Sequence, residues 1–177
     1  MVTIEADGTV LDEWMSMVRL RWPLSRVGPT RIHGITRPML KNAPGLDEVL
    51  DEFGERMNGS VFTAHNAKFD GEFLVRATRK RPPDDPARAA LDDRLCTLRM
   101  SRRLDPTRER SHSLIDLSAR YGVNLDRPHD ALNDARATAE VLPHLLAEHD
   151  VTDVADLRRF YDRPRPGDCY VAADSSS

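Results

Sequence analysis

Two short segments of the sequence constrain the fold more than any other part of it. In residues 64–70 and residues 129–135, a carboxylate falls on the first turn of a predicted helix. The first segment follows a short apolar run typical of a buried strand, and alternation of strand and helix favours an α/β domain. In such domains the helix N-termini gather at the carboxyl edge of the sheet. We therefore expect Asp70, Asp134 and the nearby His129 to converge on one pocket.

These three residues suit metal-assisted hydrolysis of a phosphodiester bond. Carboxylate oxygens are ligands for divalent cations, and an imidazole can take a proton from water at neutral pH. Each segment also has a purely structural interpretation. Asp70 can simply complement the helix dipole, and His129 can be a surface histidine beside the capping Asp130.

Composition limits the classes of protein that the chain can belong to. Its 177 residues, 40% of them hydrophobic and 31% charged, are typical of one soluble globular domain, which we place at residues 1–162 with a disordered tail at 163–177. No run of 18 apolar residues predicts a membrane span, and no secretory signal is visible. Cys96 and Cys169 lack metal-like spacing, which favours free thiols in a reducing cytoplasm. A net charge of −3 argues against a protein that coats nucleic acid, but not against an enzyme that grips one strand end.

The pattern of apolar residues and turn signals predicts the elements in order. An Asp7-Gly8 turn joins strands 2–5 and 9–20 in a hairpin. Further strands are predicted at 60–64 and 94–97. Helices are predicted at 44–57, 68–80, 97–104, 113–121, 130–148 and 152–161. Residues 30–36 are predicted to form a short loop or a turn of helix, followed by a helix start at 36–38, and loops are predicted at 82–86 and 105–111. We expect the core to include Phe69, Phe73, Leu132 and Leu142.

Several segments together resemble the DEDDh family of 3′→5′ exonucleases, which includes the proofreading epsilon subunit of bacterial DNA polymerase III. Residues 64–70 (AHNAKFD) look like the second motif of that family, and residues 129–135 (HDALNDA) look like the third. Residues 31–36 (RIHGIT) are similar to the segment of the family that lies beside the terminal nucleotide. Residues 96–99 and 112–114 also fall where the family has comparable runs. The resemblance covers roughly residues 2–148.

The resemblance implies a ribonuclease-H-like exonuclease fold with a mixed sheet flanked by helices. It also implies hydrolysis of DNA or RNA from a 3′ end to nucleoside 5′-monophosphates, with two Mg²⁺ or Mn²⁺ ions and, as a candidate partner, a DNA polymerase subunit. Asp70 and Asp134 would be the metal-site acids and His129 the general base. The implied substrate contacts are His33, Gly34, Ile35, Thr36, His65, Asn66 and Phe69. For His65 and Asn66, stabilisation of the turn is an equal alternative.

The first motif of the family, an Asp-x-Glu pair on the opening strand, has no counterpart in this sequence, which begins Met1-Val2-Thr3-Ile4. Glu5 and Asp7 are poor substitutes because they fall at a strand end and in the hairpin turn. The family pattern would place about one strand upstream of Met1. A late start site would explain this, and so would a short form without catalysis; we favour the first because the other site residues are present. With two of the four carboxylates, we expect weak Mg²⁺ binding and very low activity.

Two alternatives remain open at this level. The chain can be a non-catalytic module that binds nucleic acid or a polymerase, with a vestigial site. The basic residues Arg76, Arg79, Lys80 and Arg81 can contact a nucleic-acid backbone, although a solvated helix face is the expected interpretation. His112, His144 and His149 show no pattern that assigns them a role.

Overall fold

The computed structural model describes residues 1–22, 25–125 and 130–162. Within these residues, four short strands and a series of helices follow one another, and the last element is a 3₁₀ helix at Val154–Phe160. The strands are β1 (Val2–Ile4), β2 (Val10–Glu13), β3 (Phe62–Ala64) and β4 (Arg94–Cys96). The helices are α1 (Thr30–His33), α2 (Arg37–Leu40), α3 (Leu46–Arg56), α4 (Ala67–Thr78), α5 (Pro86–Ala89), α6 (Thr97–Arg103), α7 (Leu114–Tyr121) and α8 (Ala131–Glu148).

The strands form two pairs of opposite type. β1 and β2 pair antiparallel, whereas β3 and β4 pair parallel with Thr63 opposite Leu95. Among the described residues the two pairs belong to separate sheets. The predicted α/β class is confirmed.

Two apolar cores lie on opposite faces of the strand layer. The larger core contains buried residues of β4, α6, α7, α8 and the 3₁₀ helix, among them Met100, Leu117, Val141, Leu145 and Phe160. The smaller core is formed by Leu50, Phe53, Met57, Ala87 and Leu91. The chain at β1 supplies Ile4 to the first core and Met1 to the second, and the chain at β3 supplies Val61 and Phe62 in the same way. Because strand side chains point to alternate faces, the strands separate two helical layers.

The hairpin turn forms as the sequence predicts, but its second strand is shorter. The Asp7 carboxylate accepts a hydrogen bond from the Thr9 N–H at 2.8 Å, and Gly8 has a φ of +94°. The prediction that β2 extends to residue 20 is wrong, since the strand ends at Glu13. The register pairs Val2 with Glu13, and beyond that pair Met1 and Trp14 exchange backbone hydrogen bonds at 2.9 and 2.6 Å.

Helix α8 confirms the prediction for residues 130–148. The Asp130 carboxylate accepts hydrogen bonds from the N–H groups of residues 132 and 133, as an N-cap should. The helix continues through Pro143 to Glu148. Near its start, the Arg136 guanidinium donates to both carboxylate oxygens of Glu13 at 2.9 and 2.6 Å, which links α8 to the hairpin. Within the part of the chain that the structure describes, no helix is long and apolar enough to cross a membrane.

Two predictions between residues 82 and 161 need revision. The predicted loop at 82–86 ends in the short helix α5, which Asp85 caps by accepting hydrogen bonds from the Ala87 and Arg88 N–H groups. The helix expected at 152–161 is a 3₁₀ helix, capped by Asp153 through the Ala155 N–H. The tail predicted at 163–177 lies outside the described residues.

The prediction that Phe69 and Phe73 belong to the core is wrong. Each residue is 59% exposed, and the two rings meet edge to face with centroids 5.1 Å apart. Helix α4 turns its small residues Ala67 and Gly71 inward instead, because the buried Arg94 of β4 occupies the space where a side chain on residue 71 would lie. Of the other two expected core residues, Leu142 is buried and Leu132 is half-buried.

The basic cluster after α4 is divided between surface and interior. Arg76, Arg79 and Lys80 are exposed. The side chain of Arg81 is only 14% exposed and donates to Asp51 at 2.7 Å and to Asp85 at 3.0 Å. Arg81 is therefore a structural residue that ties α3 to the chain before α5.

Helix α3 packs on α5 at Gly54, where a side chain would collide with backbone. A Cβ at this position would lie 2.7 Å from the Ala87 nitrogen. We expect Gly54→Ala to lower the free energy of unfolding by about 1–3 kcal/mol, because this clash exceeds the gain of about 1 kcal/mol in helix propensity. Urea denaturation would measure the change. Glu55→Ala, on the exposed face of the same helix, is the control, and a stabilised Gly54→Ala variant would contradict the packing described.

Candidate active site

The carboxyl ends of β3 and β4 open at the same edge of their parallel pair. β3 is followed by His65 and Asn66, which lead into α4, and β4 runs directly into α6. Asn66 begins α4 in a left-handed conformation with φ +68°, which asparagine tolerates better than most residues. This turn places Asp70 in the first turn of α4.

The two predicted metal-site acids lie within electrostatic range of each other. Burial raises the pKa of the Asp70 carboxyl group, and the negative charge of Asp134 raises it further. The residue as a whole is solvent-accessible, so its carboxylate loses hydration while it stays open to a ligand. Since a first-turn position would by itself favour the charged form, burial and repulsion from Asp134 outweigh the helix dipole here.

Two carboxylates within electrostatic range of each other are a chemically suitable part of a site for a hard divalent cation. The oxygens are the right donors, and a cation would relieve the repulsion between the two charges. The residues that the structure describes contain no group of three or more histidine, cysteine or acidic side chains arranged to hold a metal. The predicted general base, His129, lies outside the described residues, so its role stays a prediction.

His65 is held from two sides. Its Nδ1 lies 3.0 Å from the Thr97 hydroxyl, and the ring also makes a hydrogen bond with the backbone of His112. Burial lowers its pKa to about 4, and the nearby positive charge of Arg102 contributes to the shift. A neutral imidazole can accept at one nitrogen and donate at the other, so both interactions are satisfied without a proton on the ring. This arrangement supports the alternative in which His65 stabilises the turn.

The remaining predicted substrate contacts fall in two places. Asn66 and the exposed ring of Phe69 lie on the same turn as Asp70. His33 is the last residue of helix α1, where its Nδ1 accepts a hydrogen bond from the Ile35 N–H at 3.0 Å and Gly34 caps the helix with a φ of +70°. In the described residues, no hydrogen bond or ion pair connects residues 33–36 to Asp70. The structure therefore places Asn66 and Phe69 beside Asp70, whereas the role of residues 33–36 stays a prediction.

A cleft of about 570 Å³ opens beside this site and includes residues that the sequence analysis did not single out. Its walls include His65 and Asn66 on one side and Arg102, Arg108 and Arg110 on the other. The signal in the sequence was the density of arginine between residues 99 and 110. Composition alone could not show that these side chains face the candidate site.

Comparison with known proteins identifies the family of the chain. A family model described as "Exonuclease" matches residues 28–142. A protein of Mycobacterium tuberculosis named as a bifunctional exonuclease/endonuclease is 40% identical over 144 residues, which cover 80% of this chain and 21% of that protein. A PolC-type DNA polymerase III of Streptococcus pneumoniae is 36% identical, with 85% and 10% covered. The chain thus spans only about a tenth to a fifth of these curated relatives.

A solved structure is similar over nearly the whole chain. Exonuclease X, in complex with 5′ overhanging duplex DNA, has a TM-score of 0.64 and 25% identity, covering 90% of this chain and 86% of its own. This confirms the predicted ribonuclease-H-like exonuclease fold. The chain belongs to the exonuclease family, as the resemblance to the DEDDh exonucleases implied.

The state of His65 predicts a pH dependence of stability. Its pKa is about 4 in the folded chain but near 6.5 when unfolded, so between these values only the unfolded chain binds this proton. Stability from this group is complete above pH 6.5 and is lost as the pH falls towards 4, at up to about 1.4 kcal/mol per unit. Urea unfolding should show a steeper loss for the wild type than for His65→Gln over this range. Equal slopes would contradict a buried neutral ring.

The crowding of Asp70 and Asp134 predicts a second effect. Asp70→Asn removes a poorly hydrated charge next to a like charge, so it should raise the free energy of unfolding at pH 7 in EDTA. Because solvent screens the pair, the gain should not exceed about 1 kcal/mol. Glu72→Gln, on an exposed part of the same helix, should give no such gain. A destabilised Asp70→Asn variant would show that the two charges are not in conflict.

Proposed function

We propose that this chain is a metal-dependent 3′→5′ exonuclease that releases nucleoside 5′-monophosphates from single-stranded DNA or RNA. The observation that carries the proposal is the proximity of Asp70 and Asp134 at the start of two helices, in a chain of the exonuclease family. We take residues 1–162 as one exonuclease domain. The polymerase relatives favour DNA as substrate and a polymerase subunit as partner.

In this proposal each site residue has a separate task. Asp70 and Asp134 hold Mg²⁺ or Mn²⁺, which supplies positive charge to the scissile phosphate and lowers the pKa of water. His129 takes the proton from the attacking water. The exposed ring of Phe69 offers a face on which the terminal base can stack, and residues 33–36 meet the same nucleotide.

The compartment and the level of activity follow from residues already described. Cys96 is a buried free thiol, which agrees with a reducing compartment such as the cytoplasm. Two carboxylates retain a divalent cation less firmly than four. We therefore expect slow hydrolysis that increases with the concentration of Mg²⁺ or Mn²⁺.

The test is hydrolysis of a 5′-labelled single-stranded oligonucleotide with Mg²⁺ or Mn²⁺. The labelled strand should shorten one nucleotide at a time, and Asp70→Ala, Asp134→Ala and His129→Ala should each reduce the rate by about a hundredfold or more. Glu140→Gln, an exposed acid on α8, should cut at the wild-type rate.

Two results would count against the proposal. Endonucleolytic fragments would contradict cleavage from the end. Binding of the oligonucleotide without cleavage at any metal concentration would favour the non-catalytic module instead.

A further inference from the structure

The cleft beside the candidate site carries an unusual concentration of positive charge. The arginine cleft, as we call it, is lined by Arg102, Arg108, Arg110, Asn66, Ser111 and Ser113. All three arginines are exposed. Its volume of about 570 Å³ is within the range of ordinary ligand pockets.

The guanidinium groups of the cleft differ from other arginines of the chain in their partners. Arg56, Arg81 and Arg136 each form ion pairs with acidic side chains. In the described part of the chain, the guanidinium groups of the three cleft arginines form no ion pair and no hydrogen bond. Three like charges in one cleft repel each other, so this arrangement favours an anionic ligand that would neutralise them.

Two acids near the cleft, Asp105 and Asp116, already accept hydrogen bonds from neighbouring groups. Asp105 accepts hydrogen bonds from the Glu109 and Arg110 N–H groups at 3.3 and 2.9 Å, and its carboxylate lies 3.3 Å from the His112 ring. Asp116 accepts from the hydroxyl groups of Ser111 and Ser113. These hydrogen bonds lower the pKa of both acids. Their charge therefore organises the wall of the cleft and does not pair with its arginines.

The segment that carries Arg108 and Arg110 is held in place by hydrogen bonds to neighbouring residues. Arg108 has a φ of +56°, rare for a residue other than glycine, and its N–H donates to the Asp105 carbonyl at 3.0 Å. At the end of this segment, the buried His112 ring lies 2.8 Å from the Ser101 hydroxyl on α6. The backbone that presents the guanidinium groups is thus fixed at both ends.

We propose that the arginine cleft binds the phosphodiester backbone of single-stranded nucleic acid, on the strand that leads to Asp70. The cleft and the candidate active site share a wall, since Asn66 lines the cleft and also begins the helix that carries Asp70. The planar guanidinium group binds phosphate oxygens in pairs, which suits a charged backbone independently of base sequence. This inference rests on the proposed function, because it identifies the substrate as a polyanion held upstream of the cleaved end.

The first test compares two variants that lose the same charge. Arg102→Gln/Arg108→Gln/Arg110→Gln should weaken binding of a single-stranded oligonucleotide in EDTA by about tenfold or more at low salt. The slope of log Kd against log salt should fall by about 2, at about 0.7 per phosphate contact. The control is Arg76→Gln/Arg79→Gln/Lys80→Gln, at exposed positions in α4 and directly after it. This variant should change neither the Kd nor its salt dependence appreciably.

A second test locates the contact on the nucleic acid. Replacing single linkages by uncharged methylphosphonates, counted from the 3′ end, should weaken binding to the wild type at the few linkages that reach the cleft. The same replacements should cost the cleft variant little, because the interaction is already absent. Equal losses in both proteins would overturn the proposal. Thermal unfolding of each variant verifies that it folds.

The outcomes separate this inference from the proposed function. All binding is measured in EDTA, so hydrolysis plays no part. If the wild type cuts DNA and the cleft variant binds as tightly as the control, the arginine cleft is not a backbone site. If the wild type does not cut but the cleft variant alone loses binding, the cleft inference holds and the exonuclease proposal fails. A wild type that binds no oligonucleotide at low salt overturns the inference directly.

Discussion

The parallel pairing of β3 with β4 is the constraint on which the site depends. It is only three residues long, yet the turn that carries His65 and Asn66 leaves one strand and α6 leaves the other at the same edge. The pair is reinforced from outside, because Arg94 donates to the Asp162 carbonyl at 3.1 Å and accepts from the Asp162 N–H at 2.8 Å. Helix α4 and the wall of the arginine cleft take their positions from these few hydrogen bonds.

The acidic residues on the two sides of the Asn66 turn have pKa values shifted in opposite directions. On the cleft side, Asp105 and Asp116 accept hydrogen bonds that lower the pKa of each carboxyl group. Neither acid pairs with the cleft arginines, which suits the binding of an anionic ligand. On the α4 side, burial raises the pKa of the Asp70 carboxyl group, and the negative charge of Asp134 raises it further. A cation on one side and a polyanion on the other would complete this pattern. Perturbed acids of this kind are more common at functional sites than elsewhere.

The sequence predicted the features that depend on local chemistry. The Asp7-Gly8 turn, the Asp130 cap and the position of Asp70 in a first turn all follow from residues close together in the chain. The exposure of Phe69 and Phe73 could not be predicted in this way, because the inward face of α4 is chosen by Arg94, more than twenty residues later. Two further features depend on tertiary structure in the same way. Arg81 pairs with Asp51, thirty residues away, and the cleft arginines converge only in the folded chain.

The contact between Arg136 and Glu13 connects the hairpin to the helix that carries Asp134. Solvent-exposed ion pairs add little to global stability, so the main effect of this ion pair is to fix the position of α8 relative to the hairpin. It fastens the first turns of α8, two residues from Asp134, to a strand that takes no part in the site. The ion pair therefore links the hairpin to the helix that carries Asp134, and so to one of the two acids on which the candidate site depends.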